Sequence, residues 1–290
     1  MAIVEERLAR MGGGETLGAL VQQGRYHEKL FNRRRRNRLS RVTTFASATL
    51  FGALVVLGAC FGAPNTSGSV CVPKTEQDLK RLAELGEVSC WVTIEETSLQ
   101  SLDALIGLRT APGMLIRQND LLNDLDALSS VSSIEHFTLD ETEAEELKLG
   151  DLHAEEIAVS GFDSPGIRKL SSNRTTLTKL DLYRNSRLTL LEFPTLQSIG
   201  TLRVKMNGQL ADLSAFGALR NADFLEVAEN PDLTHLALPA EFRAGTSIVI
   251  TKNPQLEASE AQAFVQAQQE LGFSGGVTVC GNKNDQPCAE

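Results

Sequence analysis

Leu180-Asp181-Leu182-Tyr183-Arg184-Asn185 is followed 22 residues later by Leu202-Arg203-Val204-Lys205-Met206-Asn207, and 23 residues after that by Leu225-Glu226-Val227-Ala228-Glu229-Asn230. Each hexapeptide has apolar residues at positions one and three and Asn at position six. Side chains two apart share one side of a β-strand, so the apolar pair marks an inward edge. Working outward, the same frame opens at Val92, Met114, Phe137 and Ile157 on one side and at Ile248 and Val277 on the other. That makes nine units at successive spacings of 22, 23, 20, 23, 22, 23, 23 and 29 residues. A period of this length is the signature of a stacked array, in which one unit cannot bury its apolar edge alone and neighbours together make a continuous core.

The sixth position is Asn at 119, 185, 207, 230, 253 and 282. Asn tolerates left-handed backbone and bonds to nearby amides, so Asn119, Asn185, Asn207, Asn230, Asn253 and Asn282 predict a ladder that satisfies turn amides inside the array. Thr97, Thr142 and Phe162 interrupt it, which predicts less regular first, third and fourth units. A Leu follows each later Asn closely (Leu188, Leu210, Leu233, Leu256) and starts a second apolar cluster. Each unit therefore reads as strand, corner and returning segment. Thr75–Leu85 has helical spacing, as does the Ala- and Gln-rich Ala258–Leu271 inside the 29-residue interval. The expected fold is mainly β with short helices: a right-handed parallel β-solenoid of about nine coils with helical caps.

Cys90-Trp91-Val92-Thr93-Ile94 at the first unit, the helical segment before it, the L-x-x-L-x-x-L text of Leu99–Leu105, Asn253-Pro254-Gln255-Leu256, and the closing Val277-Thr278-Val279-Cys280-Gly281-Asn282 resemble the receptor L domain, a leucine-rich-repeat-like family. The resemblance spans residues 71–290. It implies a binding or scaffolding module without catalytic residues, and names no ligand.

The N-terminal region reads differently. Residues 1–59 contain ten Lys and Arg against four Asp and Glu, so the rest of a chain with formal net charge −9 carries −15. An acidic body without a Lys/Arg stripe argues against nucleic acid as a partner. Arg33-Arg34-Arg35-Arg36-Asn37-Arg38-Leu39-Ser40-Arg41 precedes an uncharged, apolar stretch over residues 42–59. That is the order of a secretory signal. The stretch ends Leu57-Gly58-Ala59-Cys60, which resembles the lipobox of bacterial lipoproteins and implies lipidation at Cys60. Its 18 residues also suffice for an uncleaved membrane-spanning helix. Residues 60–70 read as a flexible tether. Phe61 after the Cys implies, by resemblance to lipoprotein sorting signals, the outer membrane or cell surface.

Four cysteines remain in the body, Cys71, Cys90, Cys280 and Cys288. Three pairings exist, of which proximity favours Cys71–Cys90 and Cys280–Cys288; export makes disulfides the expected state. A zinc site has no C-x-x-C and only scattered His27, His136, His153 and His235 to draw on. No metal and no cofactor is expected. Asp140, Glu141, Glu143, Glu145 and Glu146 form a carboxylate run that reads as a solvated loop. Gly161 to Gly166 only loosely resembles a nucleophile elbow, since Pro165 makes it a turn.

The outward strand positions offer a binding face: Asp181, Arg203 and Glu226 alternate in charge at position two, with Tyr183 and Lys205 at position four. Opposite charges on neighbouring strands already stabilise a sheet; exposed Tyr and Arg are also typical contact anchors. The expected function is a non-catalytic, surface-tethered binding or adhesion module for a protein or glycan. The alternatives are a structural envelope protein without specific ligand and a carbohydrate-active solenoid enzyme, for which the outward residues lack paired carboxylates.

Overall fold

The computed structural model describes residues 69–161 and 166–289. Cys60, the basic and apolar segments before it, most of the expected tether, and Phe162 and Pro165 lie outside the described residues.

The chain runs β1 (Val70–Cys71), α1 (Glu76–Leu85), β2 (Trp91–Glu95), β3 (Thr110–Asn119), β4 (Ser133–Thr142), β5 (Glu146–Lys148), β6 (Glu156–Ser160), β7 (Lys169–Ser171), β8 (Thr176–Tyr183), β9 (Leu190–Glu192), β10 (Ser198–Lys205), β11 (Asn221–Ala228), β12 (Arg243–Thr251), α2 (Ala258–Glu270) and β13 (Gly276–Cys280). Ten strands form one parallel sheet in the order β1-β2-β3-β4-β6-β8-β10-β11-β12-β13, and β5-β7-β9 form a second sheet of three. The large sheet is open, with β1 and β13 at its edges.

The repeat frame is the strand register. Val92 pairs with Met114, Met114 with Phe137, Phe137 with Ile157, Ile157 with Leu180, and so through Leu202, Leu225, Ile248 and Val277. Positions one and three face a common core: Leu180, Leu182, Leu202, Val204, Leu225, Val227, Ile248 and Ile250 are all fully buried. At the return side Phe193 and Phe216 stack with centroids 5.2 Å apart. The register passes unbroken through the third and fourth units, and β5, β7 and β9 bring the returning segments of units three to five into strand pairing of their own.

The six predicted asparagines are 0 to 5 % exposed. From Asn185 to Asn253, the backbone N–H and Nδ2 of each Asn both donate to Oδ1 of the next. Nδ2 also donates to the position-three carbonyl of the preceding strand, as from Asn207 to Leu182, Asn230 to Val204 and Asn282 to Ile250. Thr97 does not end the ladder: its N–H and Oγ1 both donate to Asn119 Oδ1, at 3.0 and 2.7 Å.

One expectation needs correcting. The left-handed residue is not the Asn but the residue before it: Glu96, Gln118, Glu141, Arg184, Met206, Glu229, Lys252 and Gly281 have φ between 51 and 67°. The corner must turn the chain while leaving the next side chain pointing inward. The backbone of position five bends, and Asn at position six supplies the amide.

The ends differ. α1 has a capping box, in which Thr75 Oγ1 accepts from the Asp78 N–H and Asp78 accepts from the Thr75 N–H; Leu79 and Leu82 are buried beneath it. Val70, assigned to the tether by composition, is instead in β1, which pairs with Trp91–Val92. α2 replaces the returning segment of the eighth unit. Ala261 is buried there, and Gln268 accepts from the Ala244 N–H while donating to the Phe242 carbonyl. Val277, in the last strand, remains 42 % exposed. Disulfides Cys71–Cys90 and Cys280–Cys288 hold the two ends. Among the described residues no helix is long and apolar enough to cross a membrane.

Candidate functional site: the outward sheet face

Positions two and four of each strand, and the residue before position one, point away from the core. They tile one face of the ten-stranded sheet.

The residues singled out by charge lie together on β8, β10 and β11. Arg203 pairs with Asp181 and Glu226 in register. Its Nε donates to Glu226 Oε2 at 2.6 Å and its Nη1 to Asp181 Oδ2 at 3.2 Å. Half-burial pulls the guanidinium pKa down, but the Glu226 hydrogen bond and the two carboxylate charges outweigh it, so the net direction is upward. The Arg203 side chain is 36 % exposed and the carboxylates 16 to 17 %. Lys205 Nζ is 3.3 Å from Glu229 Oε1, and the Arg184 guanidinium lies 5.4 Å from the centroid of the Tyr183 ring. This part of the face is a strip of ion pairs, within which Asp181 Oδ1 is buried without a hydrogen-bond partner. Pairing the cations inside the strip leaves little unmet charge to recruit a ligand, whereas each exposed pair adds only about 0.2–1 kcal/mol to the sheet.

A second patch, at the other end of the face, was not singled out by charge. One residue before position one, Trp91, Gly113 and His136 occupy a single row across β2, β3 and β4. Trp91 is 39 % exposed. A Cβ built on Gly113 would lie 2.6, 2.6 and 2.7 Å from Cδ2, Cε2 and Cε3 of that indole. Near-equal distances to three consecutive ring atoms mean that the ring lies face-down on the Gly113 backbone, its other face outward. The His136 imidazole is nearly parallel to the indole, at 14° with centroids 5.7 Å apart, and its Nδ1 is 3.5 Å from Glu156 Oε2. Thr93, Leu115 and Thr138 are half-buried two residues along the same strands. Extending the repeat frame by one residue toward the N-terminus would have aligned Trp91, Gly113 and His136. The apolar pattern that defines the frame carries no information about that position.

The opposite, returning side holds an open trough of about 850 Å³ over β5, β7 and β9, flanked by the 3-10 turns at Asp126–Ser130 and Ser214–Phe216 and lined in part by Lys148, Ser171, Asn173, Phe193 and Arg220. Its charges are paired: Lys148 with Asp126 and Glu146, Lys169 with Glu192, and Arg220 with Glu241.

The carboxylate run is not a loop throughout. Asp140, Glu141 and Thr142 end β4, Glu146 opens β5, and Asp140 accepts from the Ser160 hydroxyl. Glu141 is buried at its corner, unlike the exposed position-five residues Glu96, Arg184 and Lys252; Glu143 and Glu145 are exposed as expected. Among the described residues no three His, Cys, Asp or Glu side chains converge as metal ligands. Comparison of the chain with protein-family models, with curated proteins and with solved structures found no match to any of them.

Proposed function

We propose that residues 71–290 form a parallel β-solenoid of leucine-rich-like coils, similar to a receptor L domain, with α1 as its N-terminal cap. It would act as an exported, non-catalytic binding or adhesion module, its ligand a protein or a glycan. Attachment at the membrane would come from lipidated Cys60 or from the apolar segment 42–59, most consistent with the outer membrane or cell surface of a bacterium.

The observation that carries the reading is the outward face: ten parallel strands, in register apart from one bulge of β12 opposite Ala222–Phe224, give a broad surface whose side chains are displayed at regular spacing. Sites on such elements are held more closely than sites on loops. The two disulfides support an oxidising compartment.

The test is retention of the full chain on an array of envelope glycans and purified surface proteins. Thr201→Arg places a cation in the middle of the outward face, and Ala215→Arg places one beside the trough. The expected result is a saturable ligand lost with Thr201→Arg and kept with Ala215→Arg. No retained ligand, or the reverse pattern, defeats the reading; depolymerisation of an arrayed polysaccharide would make the protein an enzyme instead.

A further inference from the structure

Trp91 is the one tryptophan of the chain, and its setting is unusual for an isolated exposed apolar residue. Scattered exposed side chains are ordinary on any surface. Here, however, the neighbouring strand has glycine at the one position where a side chain would lift the ring. A Cβ on Gly113 would come within 2.6 Å of the indole, far inside contact distance. With no Cβ there, the indole lies flat, and the His136 imidazole is offset-stacked with it, the planes 14° and the centroids 5.7 Å apart. The result is an aromatic shelf spanning β2 to β4, about 10 Å across at a strand spacing near 4.8 Å.

We infer that this shelf is a subsite for one ring of a neutral oligosaccharide, stacked by its C–H face on Trp91. The inference rests on the binding-module reading above and names its ligand class.

Three features select that occupant. The outward indole face is electron-rich and meets the weakly positive C–H bonds of a pyranose face. Around it lie groups suited to sugar hydroxyls: the hydroxyls of Thr93 and Thr138, the free edge of His136, and the Glu156 carboxylate beside it. Net charge decides against an anionic sugar, because residues 60–290 carry −15 and repel carboxylate, sulfate or phosphate groups. The shelf is also too small for a protein partner by itself: a stable protein interface buries about 800 Å² on each side, and beyond Trp91, its strand partner Val70, the exposed Val72 and Leu115 the surrounding outward positions are polar, charged or small.

The chain's own fluorescence reports on the site. Full-length protein would be titrated with cellohexaose, maltohexaose and chitohexaose to about 10 mM, the range of weak single-ring recognition, following Trp91 emission, with calorimetry in parallel. The expected result is a saturable emission change with at least one of the three. Gly113→Ala should weaken that affinity at least tenfold while keeping the reporter, and Trp91→Ala should abolish the calorimetric signal. The unfolding midpoint of each variant serves as the control for folding. Binding that survives Trp91→Ala unchanged overturns the shelf but leaves the binding-module reading standing. No binding of any of the three overturns the shelf; array retention of another ligand would then show whether the broader reading also fails. An emission change that depends on protein concentration without sugar would make a second copy of the chain the occupant, and would equally overturn the inference.

Discussion

Replacing Asn230 by Ala tests the ladder at its centre. Asn230 is fully buried; its Nδ2 donates to the Val204 carbonyl at 2.9 Å and its Oδ1 accepts from the Asn207 N–H at 3.0 Å. Truncation leaves that carbonyl and that N–H buried with their ladder bonds gone. An orphaned buried group costs about 1–3 kcal/mol, so the pair predicts a loss of about 4 kcal/mol, roughly a thousandfold in the folded-to-unfolded ratio. Asn230→Asp separates hydrogen bonding from packing. It keeps the shape, but turns a donor toward Val204 into an acceptor, and should cost at least as much. The assay is urea unfolding followed by far-ultraviolet circular dichroism and by Trp91 emission. Because each unit touches only its neighbours, the dichroism midpoint should fall further than the Trp91 midpoint, six units away. A loss below about 1 kcal/mol for both variants would mean that water reaches the vacated bonds, and would refute the account of the ladder as buried and cooperative.

Position five offers a backbone test at Lys252, exposed and at φ 56°: Lys252→Val should cost about 1–2 kcal/mol, since a β-branched residue resists the left-handed region, while Lys252→Gly should be neutral or mildly stabilising by thermal unfolding. Replacing Cys71 and Cys90 by Ser opens a loop with a sequence separation of 19, predicting a loss of about 3 kcal/mol; for Cys280 and Cys288, separated by 8, it is about 2.5 kcal/mol. Equal unfolding midpoints for oxidised and reduced protein would contradict both. The Thr75 hydroxyl, with the Lys74 and Thr75 N–H groups, lowers the pKa of Asp78 against a partly opposing burial; hydrogen bonds from Lys283 and then Asn284 lower that of Glu257. A lowered folded pKa stabilises fully above the ordinary carboxylate values near 4 and ceases to do so as pH falls through the folded value. Protection from hydrogen exchange at Leu79 and Lys283, taken relative to the intrinsic rate at each pH, should therefore fall on acidification before protection at Leu202 does; a uniform fall along the array would contradict this.

The array was legible because its two defining demands fall on side chains. A core edge selects apolar residues at positions one and three, and a buried amide ladder selects Asn at six in six of the nine units, so most of the register from Val92 to Val277 is spelled out in residue types alone. What escaped were demands placed on the backbone. Glu96, Gln118, Glu141, Arg184, Met206, Glu229 and Lys252 share a conformation and no chemistry, so nothing in their side chains announces the turn. Strand β1 is two residues long, too short for any periodicity to register. The candidate site divides the same way: alternating charge drew attention to Asp181, Arg203 and Glu226, which the structure ties to one another. The aromatic shelf depends on an absent Cβ at Gly113, whose meaning comes only from a neighbour 22 residues away.

The stacking direction also sets how the molecule responds to force. The hydrogen bonds between strands, and the Asn ladder beside them, run along the axis of the array, so tension applied between its two ends loads them in series and opens them one layer at a time. Both covalent links are local, 71 to 90 and 280 to 288, and none bridges the layers between. Each layer released adds 20 to 23 residues of chain, or 29 at the last interval, about 65–105 Å at 3.3–3.6 Å per residue. Pulled between its two ends, the array would lengthen stepwise, one layer at a time, each step set by the number of residues in that layer.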